Sequence, residues 1–188
     1  MVERPAIDLP PGAFLLMRHG ETEANAADII CGQTDLPLSP RGHLQADQAA
    51  AFLAHLPLTR ILTSPLLRAR QSAAPLAARL DLVAQTVAGF AERDWGAWEG
   101  QPRAILKREA TPPEGESPKA FRARVRAALA RIDRAEPLLI VAHSGTAREI
   151  HAALAPATPH RRLTNAEAVL WVPGAHGWHC HECFKPAG

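Results

Sequence analysis

The stretch Phe14-Leu15-Leu16-Met17-Arg18-His19-Gly20-Glu21-Thr22, followed closely by Asn25, decides how this chain is organised. Four apolar residues end in an Arg-His pair, and a short apolar run bounded by turn residues predicts a buried strand. In α/β folds, ligands bind where such strands end. Arg presents a fork of donors that matches phosphate, and His supplies a nitrogen that can be a nucleophile near neutral pH. The stretch therefore predicts a phosphate site that contains a candidate nucleophile.

The composition is that of an ordinary globular domain. The 188 residues fit one domain, with 47% hydrophobic and 21% charged residues. A net charge of +2 is too small to indicate a nucleic-acid partner, and three cysteines do not form a disulfide framework. The chain has no membrane-spanning apolar run and no signal-peptide pattern at residues 1–11. We therefore expect a cytoplasmic protein with no nucleic-acid or membrane partner, an irregular leader over residues 1–12 and a single domain over 13–188.

Strands and helices alternate along the chain. Ser39, Ser64 and Ser117 each precede a proline, and this pairing predicts a helix start because Ser caps helices and Pro fits the first helical position. Pro75 should kink or shorten the second helix. The predicted helices are 40–55, 65–80, 118–135 and 146–154. The predicted strands are 13–17, 59–63, 82–87, 138–142, 166–172 and 178–184, with a loop over 21–38 and a turn at Pro173-Gly174. This alternation predicts a three-layer α/β/α sandwich with a mostly parallel central sheet and helices on both faces.

Two predicted strands that are far apart in the sequence both end in a histidine, His19 and His143. Because the carboxyl ends of parallel strands lie at one edge of a sheet, the two imidazoles should be neighbours there. Ser144 opens a helix whose free N–H groups favour an anion. A third strand leads into Arg68, in the first turn of a helix at the same edge. The acidic, Trp-rich residues 90–100 are suited to holding one carboxylate beside a dry pocket.

Four blocks of the sequence carry a family resemblance. They are Leu16-Met17-Arg18-His19-Gly20-Glu21-Thr22 with Asn25, Ser64-Pro65-Leu66-Leu67-Arg68-Ala69, Glu92-Arg93-Asp94-Trp95-Gly96 and Val141-Ala142-His143-Ser144-Gly145. These blocks resemble the signatures of the histidine phosphatase superfamily, the phosphoglycerate-mutase-like or RHG family, and the resemblance runs from residue 14 to about residue 172. It is strongest to the small bacterial phosphatases, which include both α-ribazole-phosphate phosphatases and broad-specificity phosphomonoesterases.

The resemblance implies a metal-independent phosphomonoesterase in which His19 takes the phosphoryl group as a phosphohistidine. It implies that Arg18, Arg68 and His143 balance the charge on the phosphoryl oxygens, and that Glu92 protonates the leaving alkoxide and then activates water. The implied substrate-binding residues are Asn25, Thr22, Gly32, Ser144 and Trp95. No metal or other cofactor is expected, because protein cations balance the charge. The expected partner is a small phosphorylated metabolite, and a homodimer is left open.

Other interpretations stay open at the level of sequence. Mutases of the family carry a long basic insertion after the acid, whereas the segment between Glu92 and Glu116 is short here. Trp95 stands where mutases have Tyr, and Cys31 stands where they have Thr, so hydrolysis is favoured over phosphoryl transfer to a second substrate. A catalytically inactive phosphate-binding module is a further alternative. Trp95, Trp98 and Cys31 could line an apolar leaving-group pocket.

The C-terminal segment also contains a group of potential metal ligands. These residues are His176, His179, Cys180, His181 and Cys183. If residues 178–184 form a strand, His179, His181 and Cys183 share one face of it. An ordinary edge strand is favoured over a metal site, because structural zinc sites usually require four ligands at other spacings.

Overall fold

Six β-strands form one mixed sheet in the computed structural model, which describes residues 7–187. The strands are β1 Phe14–Arg18, β2 Arg60–Thr63, β3 Ala84–Thr86, β4 Leu138–Ala142, β5 Ala168–Gly174 and β6 Gly177–Phe184. Their order across the sheet is β3-β2-β4-β1-β5-β6. The first four strands in this order pair in parallel, and β5 and β6 add antiparallel pairs at one side. The predicted mostly parallel sheet is therefore confirmed.

The described residues also form five α-helices. These are α1 Glu23–Ala26, α2 Pro40–Leu53, α3 Leu67–Leu80, α4 Pro118–Ala130 and α5 Ser144–Leu154. Two of the three predicted serine caps are present: the Ser39 hydroxyl accepts a hydrogen bond from the Gly42 N–H at 3.0 Å, and the Ser117 hydroxyl accepts one from the Ala120 N–H at 3.1 Å. In both helices a proline occupies the first turn, so the sequence itself fixes these two starts.

The central strands supply two separate hydrophobic cores, because successive side chains of a strand point to opposite faces. Leu15 and Met17 of β1 pack in a core with residues of α2 and α3, whereas Phe14 and Leu16 pack in a core with residues of α4 and α5. Complete burial of each such side chain contributes about 1.5–3 kcal/mol. The same strand thus holds helices on both of its faces, which confirms the α/β/α layering.

Helix α3 differs from its prediction at its start and in its middle. Its N-cap is Leu66 and no side chain caps it, so the Ser64-Pro65 pair does not begin the helix. The Ser64 hydroxyl instead lies 2.6 Å from Nε2 of His143. Pro75 lies within α3, and the expected shortening is wrong because Leu76 and the residues around it pack in the core. The free energy gained by burying these apolar side chains is larger than the cost of the one backbone hydrogen bond that proline removes.

Two further predictions at the ends of the fold need correction. Pro173 pairs with Trp178 and Gly174 with Gly177, so the turn of the hairpin lies at residues 175–176 and not at Pro173-Gly174. Pro173 is tolerated in β5 because pairing of β5 with β1 ends at Trp171, before it. The predicted loop 21–38 also contains the short helix α1, which Thr22 caps.

The termini are described only in part. Of the predicted leader, residues 7–12 contain no helix or strand, whereas residues 1–6 lie outside the described residues, as does residue 188. The division into a leader and a single domain remains a prediction. No helix within residues 7–187 is both long and apolar enough to cross a membrane.

The first turn of α2 packs directly against the backbone that follows β1. A Cβ atom added to Gly42 would overlap the Glu21 carbonyl oxygen, and one added to Gly20 would lie 2.5 Å from the Gly42 carbonyl oxygen. We predict that Gly42→Ala lowers the free energy of unfolding by about 1–3 kcal/mol through overpacking, although alanine is the better helix former. Urea unfolding measures this change.

The matched control for this substitution is Gln48→Ala, at an exposed position of the same helix. It should change the free energy of unfolding by less than about 0.5 kcal/mol. A Gly42→Ala protein as stable as the wild type would show that the two backbones do not touch as described.

Candidate active site

His19 lies immediately after β1, at the carboxyl edge of the sheet, and only 4% of its surface is exposed. Its Nδ1 lies 2.6 Å from the Gly20 carbonyl oxygen. A carbonyl can only accept, so Nδ1 carries the proton and Nε2 keeps its lone pair. The backbone N–H of His19 donates to the Ala142 carbonyl at 2.9 Å, and its carbonyl accepts from the Ala166 N–H at 3.1 Å. The ring and its backbone are therefore both held in place.

His143 lies beside His19 because β1 and β4 are parallel neighbours in register, with Arg18 opposite Ala142. The two ring centroids are 5.1 Å apart. His143 is the N-cap residue of α5, and its Nε2 lies 2.6 Å from the Ser64 hydroxyl oxygen. Its Nδ1 is buried and has no hydrogen-bond partner among the described residues. One nitrogen of this ring is thus anchored, and the other makes no hydrogen bond within residues 7–187.

Two buried arginines flank the histidines, and backbone carbonyls orient both. Arg68, in the first turn of α3, donates to the Gly32 carbonyl at 2.6 Å and to the Thr34 carbonyl at 3.0 Å. Arg18 donates from Nη1 to the Leu163 carbonyl at 2.9 Å, and its buried Nε has no partner within residues 7–187. Neither guanidinium is neutralised by a carboxylate within that part of the chain. Both therefore keep their charge for an anion.

Burial and the arginines together keep both imidazoles neutral. Burial is the main cause that lowers the pKa of His19 well below its ordinary value of 6.5, and the charges of Arg68 and Arg18 lower it further. Burial, followed by Arg68, likewise lowers the pKa of His143 well below that value. Burial and the neighbouring Arg162 lower the pKa of Arg18 to about 9, so Arg18 stays charged at neutral pH. The site combines fixed cations with an unprotonated nitrogen.

Glu92 supplies a buried carboxylate to the site, with 8% of its surface exposed. Its Oε1 accepts a hydrogen bond from the Arg93 N–H at 2.8 Å, and its Oε2 accepts one from the Gly145 N–H at 2.9 Å. The second of these donors belongs to the first turn of α5, next to His143. Backbone contacts therefore place the carboxylate in the same cavity as His19, and no cation of residues 7–187 forms an ion pair with it.

Four of these side chains, His19, Arg18, Arg68 and Glu92, line a cavity of about 260 Å³. His143 lies beside His19 but is not among the lining residues. The apolar residues of the lining include Ile30, Trp95 and Leu106. The full lining is Arg18, His19, Asn25, Ile30, Cys31, Arg68, Glu92, Trp95, Arg103, Leu106, Arg108, Ser144, Gly145, Arg148, His160 and Arg162. The lining thus combines cationic side chains that suit an anion with apolar side chains that suit a carbon skeleton.

The structure brings most of the sequence-predicted substrate-binding residues to this cavity, but not all of them. Asn25, Ser144 and Trp95 line it. Thr22 lies behind the wall, where its hydroxyl caps α1 by accepting from the Asn25 N–H at 3.2 Å. Gly32 also lies behind the wall, and its carbonyl orients Arg68. Thr22 and Gly32 therefore act on the lining residues and do not line the cavity themselves.

The apolar pocket predicted from the tryptophans is formed only in part. Trp95 and Cys31 line the cavity, whereas Trp98 stacks behind Trp95 with ring centroids 6.1 Å apart. The Arg93 guanidinium lies 4.2 Å from the Trp95 ring centroid. Burial raises the pKa of the Cys31 thiol, so this side chain is present as the neutral thiol.

Glu99 fixes the loop that carries the Arg68-binding carbonyls. Its carboxylate accepts hydrogen bonds from the N–H groups of Gln33 at 2.8 Å and Thr34 at 2.7 Å, and also from the Thr34 hydroxyl. Burial alone would raise the pKa of Glu99, but these hydrogen bonds lower it. The carboxylate therefore stays ionised and ties residues 31–35 to the Trp95 wall, which positions Arg68 indirectly.

Two contributors to the site were not assigned from sequence. Asn165 donates from Nδ2 to the His19 carbonyl at 3.2 Å and to Oδ1 of Asn25 at 2.9 Å. It lies outside every quoted block, so no sequence signal could have found it. Ser64 was taken for a helix cap, although it lies 2.6 Å from His143. Its position directly after a strand, like that of the two histidines, is the signal that could have found it.

The C-terminal histidines and cysteines lie on β6 and in the turn before it. Within residues 7–187, no group of three or more His, Cys, Asp or Glu side chains is arranged to hold a metal ion.

Comparison with known proteins adds independent information about this arrangement. The model of the histidine phosphatase superfamily (branch 1) matches residues 14–184. An adenosylcobalamin/α-ribazole phosphatase of Salmonella typhimurium is 33% identical over 173 residues, which cover 83% of this chain and 82% of that protein. The uncharacterized phosphatase PhoE of Bacillus subtilis is 34% identical over 166 residues, which cover 82% of this chain and 84% of that protein.

A solved structure shares the fold over nearly its whole length. The mycobacterial glucosyl-3-phosphoglycerate phosphatase, in complex with VO3, superimposes with a TM-score of 0.76 at 26% sequence identity. The match covers 90% of this chain and 97% of that one.

Burial of the His19 and His143 imidazoles should make the stability of the fold depend on pH. In the unfolded chain they take up protons below about pH 6.5, whereas in the fold their lowered pKa keeps them neutral. The free energy of unfolding should therefore fall as pH drops from about 7 to about 5, by up to about 1.4 kcal/mol per pH unit for each imidazole. Urea unfolding of wild type and His143→Gln should show a shallower slope in the variant.

His55→Gln, at an exposed position after α2, is the control and should keep the wild-type slope. A His143→Gln protein with an unchanged slope would mean that this imidazole titrates normally in the fold.

Proposed function

Because the chain belongs to the histidine phosphatase superfamily, and is a phosphatase of that family, we propose that it hydrolyses a small phosphate monoester through a phosphohistidine at His19. The observation that carries this proposal is the hydrogen bond of 2.6 Å between Nδ1 of His19 and the Gly20 carbonyl. It leaves Nε2 unprotonated at the cavity, where it can attack phosphorus. The lowered pKa keeps that nitrogen available at neutral pH.

We assign charge balance on the phosphoryl oxygens to Arg18, Arg68 and His143. Arg18 Nε and His143 Nδ1 are buried donors without partners among the described residues, and a phosphoryl oxygen would satisfy them. In this scheme the Ser64 hydroxyl donates to Nε2 of His143, because that tautomer leaves Nδ1–H free for the substrate. Fixed donors of this kind stabilise the charge that develops in phosphoryl transfer, and they make a metal ion unnecessary for that role.

Glu92 is the proposed proton carrier. It would give a proton to the leaving alkoxide when His19 takes the phosphoryl group, and it would then accept a proton from the water that attacks the phosphohistidine. In the first step the P–O bond of the ester breaks as the bond between phosphorus and Nε2 of His19 forms. In the second step that N–P bond breaks as phosphorus bonds to the oxygen of the attacking water. The backbone contacts to Gly145 and Arg93 support this role because they hold the carboxylate at the cavity wall.

Further substrate contacts come from the side chains and backbone at the wall. Asn25 and the N–H groups at Ser144 would add hydrogen bonds to the phosphoryl group, and Trp95 would contact the rest of the substrate. Thr22 and Gly32 would act through Asn25 and Arg68, as their contacts suggest. The relatives named for α-ribazole and glucosyl-3-phosphoglycerate phosphatase activity support a small phosphorylated metabolite as the substrate class.

Hydrolysis is favoured over the alternatives by the same residues. An inactive binding module has no need of an unprotonated imidazole beside a buried carboxylate. A mutase of the family carries a long basic insertion after its acid, whereas here the segment between Glu92 and α4 is short and contains two 3-10 turns. The cytoplasmic location and a homodimer stay predictions from the sequence.

We predict that the purified protein hydrolyses para-nitrophenyl phosphate in the presence of a chelator, and that His19→Ala lowers kcat by at least about 10³-fold. Loss of the nucleophile should not unfold the chain, which urea unfolding checks. Undiminished hydrolysis in His19→Ala would contradict the assignment. Isomerisation of a phosphorylated substrate that exceeds phosphate release would establish the mutase alternative.

A second variant isolates the role of Glu92. Nitrophenolate is a good leaving group that needs no proton, whereas hydrolysis of the phosphohistidine still requires a base. With Glu92→Gln and para-nitrophenyl phosphate, we therefore expect a burst of nitrophenolate, a steady rate lowered by about 10²–10⁴-fold, and a trapped phosphoprotein whose N–P bond is acid-labile. Mass spectrometry should locate the phosphoryl group on His19. A Glu92→Gln enzyme with the wild-type steady rate would rule out this role.

A further inference from the structure

Asn165 belongs to a turn that lies against the backbone of the nucleophile. The turn spans residues 164–167, directly before β5, and Ala166 within it has a left-handed backbone with a φ of 55°. The Ala166 N–H donates to the His19 carbonyl at 3.1 Å, and Nδ2 of Asn165 donates to the same oxygen at 3.2 Å. A left-handed backbone costs free energy at a residue other than glycine, and such residues cluster at functional sites. The turn thus directs two donors at one carbonyl oxygen.

Glu167 holds this turn in place from the protein interior. Its side chain is fully buried, and its carboxylate accepts hydrogen bonds from the Thr164 N–H at 2.7 Å and from the Thr164 hydroxyl at 2.9 Å. The carboxylate also pairs with Arg161, and the backbone carbonyl of Glu167 accepts from the Arg18 N–H at 3.1 Å. Because side-chain and backbone contacts both fix the turn, its two donors stay directed at the same oxygen.

Two backbone groups determine how the side-chain amides of Asn25 and Asn165 are oriented. The Thr22 N–H can only donate and lies 3.3 Å from the Asn25 side chain, so the atom that it faces must be Oδ1. The His19 carbonyl can only accept, so the Asn165 atom that faces it must be Nδ2. Between these two ends, Nδ2 of Asn165 also donates to Oδ1 of Asn25 at 2.9 Å. Turning either amide over would bring two donors or two acceptors together.

This network decides which end of the Asn25 amide meets a ligand. Its Oδ1 accepts from both Thr22 and Asn165, which uses both lone pairs of that oxygen. Its Nδ2 forms no hydrogen bond within residues 7–187, and Asn25 lines the cavity. The group that remains for an anion is therefore a donor. The opposite orientation would place the amide oxygen against phosphoryl oxygens, and two acceptors repel each other.

We propose that Asn165 is a positioning residue, which orients the Asn25 amide so that Asn25 presents its N–H donors to the phosphoryl group. The inference rests on the proposed function, because it takes the cavity as the site of the phosphoryl group. Asn165 itself does not line the cavity. Its effect on catalysis should therefore pass through Asn25, without contact between Asn165 and the substrate.

A double-mutant cycle tests whether Asn165 acts through Asn25. The variants are Asn25→Ala, Asn165→Ala and their combination, and the measured quantity is kcat/KM for para-nitrophenyl phosphate. In the wild-type background, Asn165→Ala should lower kcat/KM by about fivefold or more, because an oriented hydrogen bond to a charged group is lost. In the Asn25→Ala background it should lower kcat/KM by less than about twofold, because no amide remains to be oriented. The His19 carbonyl keeps the Ala166 N–H as a donor throughout.

A second variant, Asn165→Asp, separates the orientation of the amide from the shape of the side chain. A carboxylate has nearly the shape of an amide but cannot donate, so Asn25 would turn its N–H donors toward it and its oxygen toward the cavity. The loss of kcat/KM should therefore exceed that of Asn165→Ala by about threefold or more. In the Asn25→Ala background this excess should disappear. An excess that persists undiminished there would show a direct effect of the added charge and would count against the positioning role.

The matched control is Gln85→Ala, which removes an amide from an exposed position of β3 that does not line the cavity. It should leave kcat/KM at the wild-type value. Urea unfolding of each variant separates a lost orientation from a lost fold, and Asn165→Asp completes the cycle if Asn165→Ala does not fold.

The outcomes separate this inference from the proposed function. Equal losses from Asn165→Ala in both backgrounds, or no loss in the wild-type background, would overturn the positioning role while leaving the phosphatase in place. No phosphate release by the wild-type protein would overturn the proposed function itself.

Discussion

The hydrogen bond from Nδ1–H of His19 to the carbonyl of the next residue is the interaction on which the rest of the site depends. It fixes the tautomer of a buried imidazole, and it leaves one unprotonated nitrogen facing a cavity lined with guanidinium groups. Without this hydrogen bond the ring could rotate or move its proton from Nδ1 to Nε2. The nitrogen that faces the cavity would then not be fixed in its unprotonated form. Burial matters equally, because in water the same ring would be partly protonated near neutral pH.

The sheet itself determines how the two histidines are arranged. Parallel pairing of β1 with β4 places the residues after Arg18 and Ala142 side by side, so the two histidines meet without any special loop. The buried arginines are tolerated because carbonyl groups of Gly32, Thr34 and Leu163 accept their hydrogen bonds. Desolvation of an unpartnered guanidinium would otherwise be costly. Because these carbonyl groups are neutral, they orient the guanidinium groups without balancing their positive charge. That charge can therefore stabilise a bound anion.

The sequence alone predicted those features whose determining residues are adjacent in the chain. An apolar run that stops at Arg18-His19, and another that stops at His143, predicted both the strands and the edge at which the site forms. Ser39 and Ser117 likewise marked their helices, since cap chemistry is local. Such signals do not depend on the rest of the fold.

Other features depend on contacts distant in the sequence, and these were missed or misplaced. Asn165 reaches His19 only because β5 returns beside β1. Ser64 serves His143 and therefore does not cap α3, and Pro75 is accommodated by core packing that no local rule contains. The arginines that line the cavity come from separate segments of the chain, so their convergence is visible only in the folded chain.

The most direct test of the central claim is the protonation state of His19, measured by two-bond ¹H–¹⁵N correlation spectroscopy on protein with ¹⁵N-labelled histidine. The His19 signals are assigned by their loss in His19→Gln. At neutral pH we predict a neutral ring that carries its proton on Nδ1 and leaves Nε2 unprotonated. A doubly protonated ring, or a neutral ring with its proton on Nε2, would contradict it.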